Sequence, residues 1–107
     1  MQLTTQDEFN DMTITRTLGL VRGNTIRARH LGKDIVAGLR NLVGGDIGEY
    51  TKMLAEAREQ SLDRMIAEAR SMEADGIVAI RFVTAPVMQG AAELLAYGTA
   101  VKLTRKV

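Results

Sequence analysis

The chain has no cysteine. That absence removes disulfides, thiolate metal sites, iron–sulfur clusters and thiol nucleophiles together. It has one histidine, His30, so a zinc site built from the imidazoles of a single chain is excluded as well. Serine is scarce, present only as Ser61 and Ser71, and no Ser/His/Asp or Cys/His arrangement can be assembled. No purely apolar run approaches the ~20 residues needed to span a bilayer. The opening MQLTTQDEF carries acids and lacks an apolar h-region, so no secretory signal is expected and the cytoplasm is. An excess of charge is missing too. Fourteen Lys+Arg against thirteen Asp+Glu leave a net charge of +1, which makes no electrostatic case for nucleic acid or an anionic membrane as partner.

What is present is a chain of 107 residues, enough for one domain. A chain this long buries roughly two-thirds of its unfolded surface without covalent staples. Residues 1–11 are polar and read as a flexible or edge segment. From Met12 to Ala28, Ile14, Leu18, Leu20, Val21 and Ile26 stand among Thr13, Thr15, Thr17 and Thr25, an extended pattern rich in β-branched residues. Gly23-Asn24 inside it is a candidate two-residue turn or bend. Leu31–Val43 carries Ile35, Leu39, Leu42 and Val43 at helical spacing, a short helix closed by Gly44-Gly45. A long helix is expected from about Asp46 to Glu73. Ile47, Tyr50, Leu54, Ala57, Ser61, Met65, Ala69 and Met72 form its apolar stripe, and Met53, Leu62 and Ile66 widen it. Asp46 and Glu49 stand where a capping box and the helix dipole favour acids. Gly76–Val83 reads as a strand, Thr84–Gly90 as a loop holding the single proline, Pro86, and Ala91–Leu103 as a last long strand.

Two features point to self-association. A helix of about 28 residues is ~42 Å long, whereas a compact domain of this size is roughly 35 Å across. The last two strands are also apolar on both faces. Val78, Ile80 and Phe82 alternate with Ile77, Ala79 and Val83; Leu95, Tyr97, Val101 and Leu103 alternate with Leu94, Ala96 and Ala100. Such strands belong to a sheet covered on both sides, and one long and one short helix cover only one. A second copy would cover the other. The competing reading lets the short helix or the N-terminal segment fold over it.

Each candidate for chemistry has a structural competitor. Gly44-Gly45 at a helix start could cradle a phosphate, but Asp46 would occupy the free N–H groups, so a helix–helix turn is favoured. Gly19–Thr25 lacks the Lys-Ser/Thr pair of a P-loop. Glu49, Glu56, Glu59 and Asp63 could hold a hard cation, yet Lys52, Arg58, Arg64 and Arg70 are interspersed, as on a solvated face. His30 and Asp34, four residues apart, form a two-ligand fragment; with Glu93 they could converge with symmetry copies on a metal. A surface histidine near a helix start is the competing reading. Glu93 and Tyr97 share a strand face, and Tyr97-Gly98-Thr99 flanks a glycine where a ligand or another backbone could approach; a packed strand whose glycine accommodates a crossing helix is favoured. Met53, Met65 and Met72 follow the core stripe. Arg40 and Arg81, basic residues in apolar surroundings, suit interface ion pairs or stacking. No nucleophile or acid/base pair with an orienting partner is readable, so an enzyme is not expected.

Several segments together resemble one family. They are Leu18-Gly19-Leu20-Val21-Arg22-Gly23-Asn24-Thr25, Gly38-Leu39-Arg40-Asn41-Leu42-Val43-Gly44-Gly45-Asp46, Tyr50-Thr51, Ala57-Arg58-Glu59, Arg64-Met65-Ile66, Gly76-Ile77-Val78, Arg81-Phe82 and Ala96-Tyr97-Gly98-Thr99-Ala100-Val101. In this order they resemble the YbjQ-like family of putative heavy-metal-binding proteins, over about residues 12–104. Members usually carry Glu where this chain has Asp46, and often Asn-Ala where it has Asp75-Gly76. The resemblance implies one α+β domain over residues 1–107, an antiparallel sheet packed on the long helix as in a dodecin subunit, in the order β(β)-α-α-β-β. It also implies a ring-shaped pentamer. The expected function is a non-enzymatic oligomer binding a metal ion between subunits; the alternatives are a scaffold without metal and a small-molecule-binding ring. A divalent metal ion is the one cofactor class left open. The candidate metal ligands are His30, Asp34 and Glu93. The candidate interface or structural positions are Arg40, Gly44, Gly45, Asp46, Glu49, Tyr50, Arg81, Tyr97, Gly98 and Thr99.

Overall fold

In the computed structural model, residues 1–28, 47–88 and 91–107 are described. They form strands β1 (Gln2–Leu3) and β2 (Met12–Ala28), helix α1 (Ile47–Ser71), and strands β3 (Gly76–Met88) and β4 (Ala91–Arg105). One sheet takes the order β1-β3-β4-β2. The central β4 runs antiparallel to both long neighbours, and β1 adds a short parallel edge to the start of β3. The expected short helix at Leu31–Val43 and the turn at Gly44-Gly45-Asp46 lie outside the described residues.

The α+β expectation holds, with three corrections. Gly23-Asn24 makes no turn: β2 is one strand of 17 residues, paired with β4 along its length. Its glycine serves packing. A Cβ at Gly23 would strike the Ser61 carbonyl oxygen and lie 2.5 Å from the Met65 amide nitrogen, so a bare backbone there lets α1 cross directly over β2. Nor is Thr84–Pro86 a loop. β3 continues through Pro86, opposite Ala92, to Met88. Proline is tolerated because β3 is a sheet edge there among the described residues, and an edge strand can spare one donor.

The third correction concerns the faces of β3. Between Val78 and Arg81 the ladder gains an extra residue against β4, and Ala79 takes a left-handed φ of 55°. Strict alternation would group Ile80 with Val78. The bulge instead turns Ile80 back beside Ile77. Ile77 and Ile80 join Val21, Met65, Ala69, Ala96 and Ala100 in the core under α1, while Val78 joins Phe9 and Val101 on the opposite face. The N-terminal segment satisfies the bulged backbone: the Ala79 N–H donates to Gln6 O (2.8 Å) and the Ile80 N–H to Thr4 O (3.1 Å). β4 keeps its alternation, with Leu94, Ala96 and Ala100 buried toward the helix.

The long strands set the shape. At ~3.3 Å per residue, β2 alone is ~56 Å long, and the described part of the chain extends over 58 × 22 × 15 Å. Its radius of gyration of 17.3 Å exceeds the ~13 Å of a compact domain this size. The strands thus run past the helix.

Candidate functional site

The two sides of the sheet are covered very differently. On the helix side, α1 packs chiefly on β2, less on β4 and least on β3. Ser61, fully buried at their junction, donates its hydroxyl proton to Leu94 O (2.9 Å), which leaves Thr25 to donate in the 2.9 Å hydroxyl–hydroxyl contact. On the other side, Phe9 folds over Val78 and Val101, with Met12, Ile14 and Leu103 around it. Among the described residues that cover reaches only one end. Farther along, Leu20 is 61% exposed, Ile26 59% and Val83 45%.

Cross-strand register arranges this uncovered face in rows, because residues directly opposite share a side. Arg22, Tyr97 and Arg81 form one row; Asn24, Leu95 and Val83 the next; Ile26, Glu93 and Ala85 the third. The Asn24 amide donates to a Glu93 carboxylate oxygen at 3.3 Å. Arg81 donates through Nη1 to Thr5 O (2.7 Å) and to Ile80 O (2.8 Å), tying the N-terminal segment to β3. The half-buried Tyr97 thus sits between two arginines, a setting suited to a flat or anionic partner. Glu93 offers oxygen to a cation.

Of the sequence candidates, this face brings together Glu93, Tyr97, Arg81 and Thr99. Gly98 is buried in β4, and its approach is to β3, not to a helix. A Cβ there would lie 2.7 Å from Ile77 Cγ2 and 3.0 Å from Val78 O, where β3 bulges. Glu49 and Tyr50 stand in the first turn of α1. His30, Asp34, Arg40, Gly44, Gly45 and Asp46 lie outside the described residues. Among the described residues no three His, Asp or Glu side chains converge as a metal cluster would require. Glu56, Glu59 and Asp63 border an open groove of about 510 Å³ that also holds Lys52 and Arg27. Arg27 Nη2 donates to Gln60 Oε1 at 2.7 Å. Arg22 and Asn24 were not singled out by the sequence, though Leu20, Arg22, Asn24 and Ile26 stand two apart once β2 is unbroken.

A second cleft, of about 320 Å³, opens between α1 and the outer part of β3. It is lined by Thr51, Leu54, Arg58, Phe82, Thr84 and Leu94. No helix among the described residues is long and apolar enough to cross a membrane.

Comparison with known proteins agrees with this fold. A protein of unknown function of the DUF74 family from Pediococcus pentosaceus ATCC 25745 superposes with a TM-score of 0.68 at 19% identity, covering 97% of this chain and 98% of that one. A UPF0145 protein of Methanosarcina acetivorans is 55% identical over 106 residues, 99% of this chain and 100% of its own length. A UPF0145 protein of Archaeoglobus fulgidus is 55% identical over 101 residues, 94% of each. The model of the YbjQ family, described as "Putative heavy-metal-binding", matches residues 1–104. The chain therefore belongs to the YbjQ-like family.

Proposed function

We propose that this chain works as a non-enzymatic, self-associating ion-binding protein of the cytoplasm, its ligand shell assembled from several copies, as in the pentameric ring that the family resemblance implies. The observation that carries this reading is the uncovered sheet face. Leu20, Ile26 and Val83 are exposed there beside Glu93, and burying what remains exposed of each aliphatic side chain would stabilise an assembly by about 1 kcal/mol. Glu93 supports the metal part. It lies one ladder step from Ala92 and two from Ala91, which pairs with Ala28, the last residue of β2. The chain continues from there to His30 and Asp34. A single Glu, Asp and His per chain is too thin a shell for one ion, so copies would have to share it. With no thiolate, oxygen- and imidazole-preferring ions are the better fit than soft ones.

Native mass spectrometry with Zn²⁺, Mn²⁺, Ni²⁺ and Cu²⁺ tests the reading. It expects stoichiometric uptake by an oligomer, lost in His30→Ala and reduced in Glu93→Gln. Uptake that neither substitution changes would remove the metal, and a monomeric wild type would remove the shared shell. The Arg22–Tyr97–Arg81 row favours a second reading, a flat anionic small molecule held on the same face. For it, a ligand that quenches tyrosine emission in the wild type and fails to do so in Arg22→Ala is the expected sign.

A further inference from the structure

We propose that the cleft between α1 and β3 binds a small aromatic carboxylate, with the ring of the ligand against Phe82 and its carboxylate on Arg58. The site is built within one chain and stands apart from the metal and the self-association proposed above.

Three elements shape the cleft. Thr51, Leu54 and Arg58 follow one another at steps of three and four along α1, hence on one helix face. Phe82 and Thr84 stand two apart on β3, and Thr84 is directly opposite Leu94 of β4, so all three share one side of the sheet. That is the helix side, where Leu94 is buried. α1 packs on β2 and touches β3 least, which leaves an opening over β3 in place of a closed seam. Its volume of about 320 Å³ lies at the lower end of the ~300–1,000 Å³ usual for ligand pockets. That size favours one ring with a short side chain over a nucleotide.

The lining runs from apolar to polar. Leu94 and Leu54 supply the apolar floor. Phe82 is 43% exposed and presents ring surface that no described residue covers. A second ring laid against it would gain stacking or edge-to-face contact on top of area burial. Thr51, Thr84 and Arg58 are exposed and form a polar rim. An apolar floor with a few convergent polar groups is the usual make-up of a small-molecule site.

The rim carries charge of one sign. α1 sorts its ionic side chains between two grooves. Glu56, Glu59 and Asp63 border the groove toward β2, together with Lys52 and Arg27. Arg58 is the one ionic side chain among the described residues that line the cleft. No acid within α1 is placed to pair with it, because the positions three and four residues away hold Leu54, Ala55, Ser61 and Leu62. A guanidinium stays charged at any working pH, and its fork fits a carboxylate through two parallel hydrogen bonds. The Thr51 and Thr84 hydroxyls can donate to the oxygen lone pairs that the fork leaves over. The complement of this lining is a single negative charge on an apolar body. A phosphate monoester, with nearly two charges, would meet only one cation, and an amine would meet a like charge.

Titration of the full chain with phenylpropionate, followed by calorimetry and ligand-observed NMR, tests the site. Saturable binding of one molecule per chain is expected. Phenylpropionamide, of the same shape without the charge, should bind roughly tenfold more weakly. Arg58→Gln should lose roughly the same factor for the acid and leave the amide unchanged, a split that a merely structural role would not produce. Phe82→Ala should weaken both. Both side chains are exposed, so the variants should fold, and circular dichroism would verify it. Arg70→Gln, about 18 Å farther along α1, removes the same charge away from the cleft and should bind as the wild type does. No saturable binding, equal binding of acid and amide, or an Arg58→Gln variant indistinguishable from the wild type would overturn the proposal. Loss of binding in Arg22→Ala with Arg58→Gln intact would move the acid to the opposite face of the sheet and overturn it as well. None of these outcomes depends on native mass or metal uptake, so failure here leaves the self-associating, ion-binding reading standing.

Discussion

Two residues show how close contact replaces side-chain bulk between α1 and the sheet. Gly23 meets the helix backbone with no room for a methyl group, so Gly23→Ala should cost about 1–3 kcal/mol through forced displacement of helix or strand. Urea denaturation at fixed protein concentration would measure it, and an unchanged midpoint would contradict the contact. Ser61 holds the other side of that crossing. Ser61→Ala strands the buried Thr25 hydroxyl and removes the hydrogen bond to Leu94 O and should cost about 1–3 kcal/mol; the double variant Ser61→Ala/Thr25→Val should recover part of it. The helical stripe already placed Ser61 toward the core. Local chemistry favours a turn at Gly23-Asn24. Only the helix packed above shows that the requirement is space, a tertiary fact that no local pattern carries.

At the scale of elements, the bulge in β3 decides which residues meet. Ala79 holds a left-handed φ of 55°, a conformation costing a residue with a Cβ on the order of 1–2 kcal/mol. Ala79→Gly should therefore stabilise the fold by about 0.5–1 kcal/mol after the extra freedom of the unfolded glycine is counted, raising the thermal midpoint. A clear loss of stability would contradict the strain. Phe9 is the far-face counterpart: Phe9→Ala uncovers Val78 and Val101 and should cost about 3–5 kcal/mol. The long helix and the alternation of β4 were readable in the sequence because each follows a single period over many residues. The faces of β3 were not, because one inserted residue reverses a period of two, and the N–H groups it frees are answered by Thr4 and Gln6, more than seventy positions away. Glu93 and Tyr97 were correctly placed on one strand face. Their neighbours Arg22 and Asn24 are not legible in the sequence, because a turn at Gly23-Asn24 would break the strand between them.

Among the described residues the molecule is long and thin, covered by α1 on one side and by the Phe9 cluster at one end of the other. Its length follows from β2 and β4, and its radius of gyration of 17.3 Å exceeds that of a compact domain of this size, as the proposed self-association would account for. Replacing Phe82 by tryptophan would report on this directly, since the chain has none. Emission from Phe82→Trp should be blue-shifted in the assembly and move to the red on dilution below the dissociation range; emission that stays red at every concentration would contradict burial of the exposed Phe82 on self-association. The most direct measurement is sedimentation equilibrium of the unaltered protein at micromolar concentration. The account predicts a single species at a whole-number multiple, greater than one, of the 11.7 kDa chain mass. A homogeneous species of 11.7 kDa would contradict it.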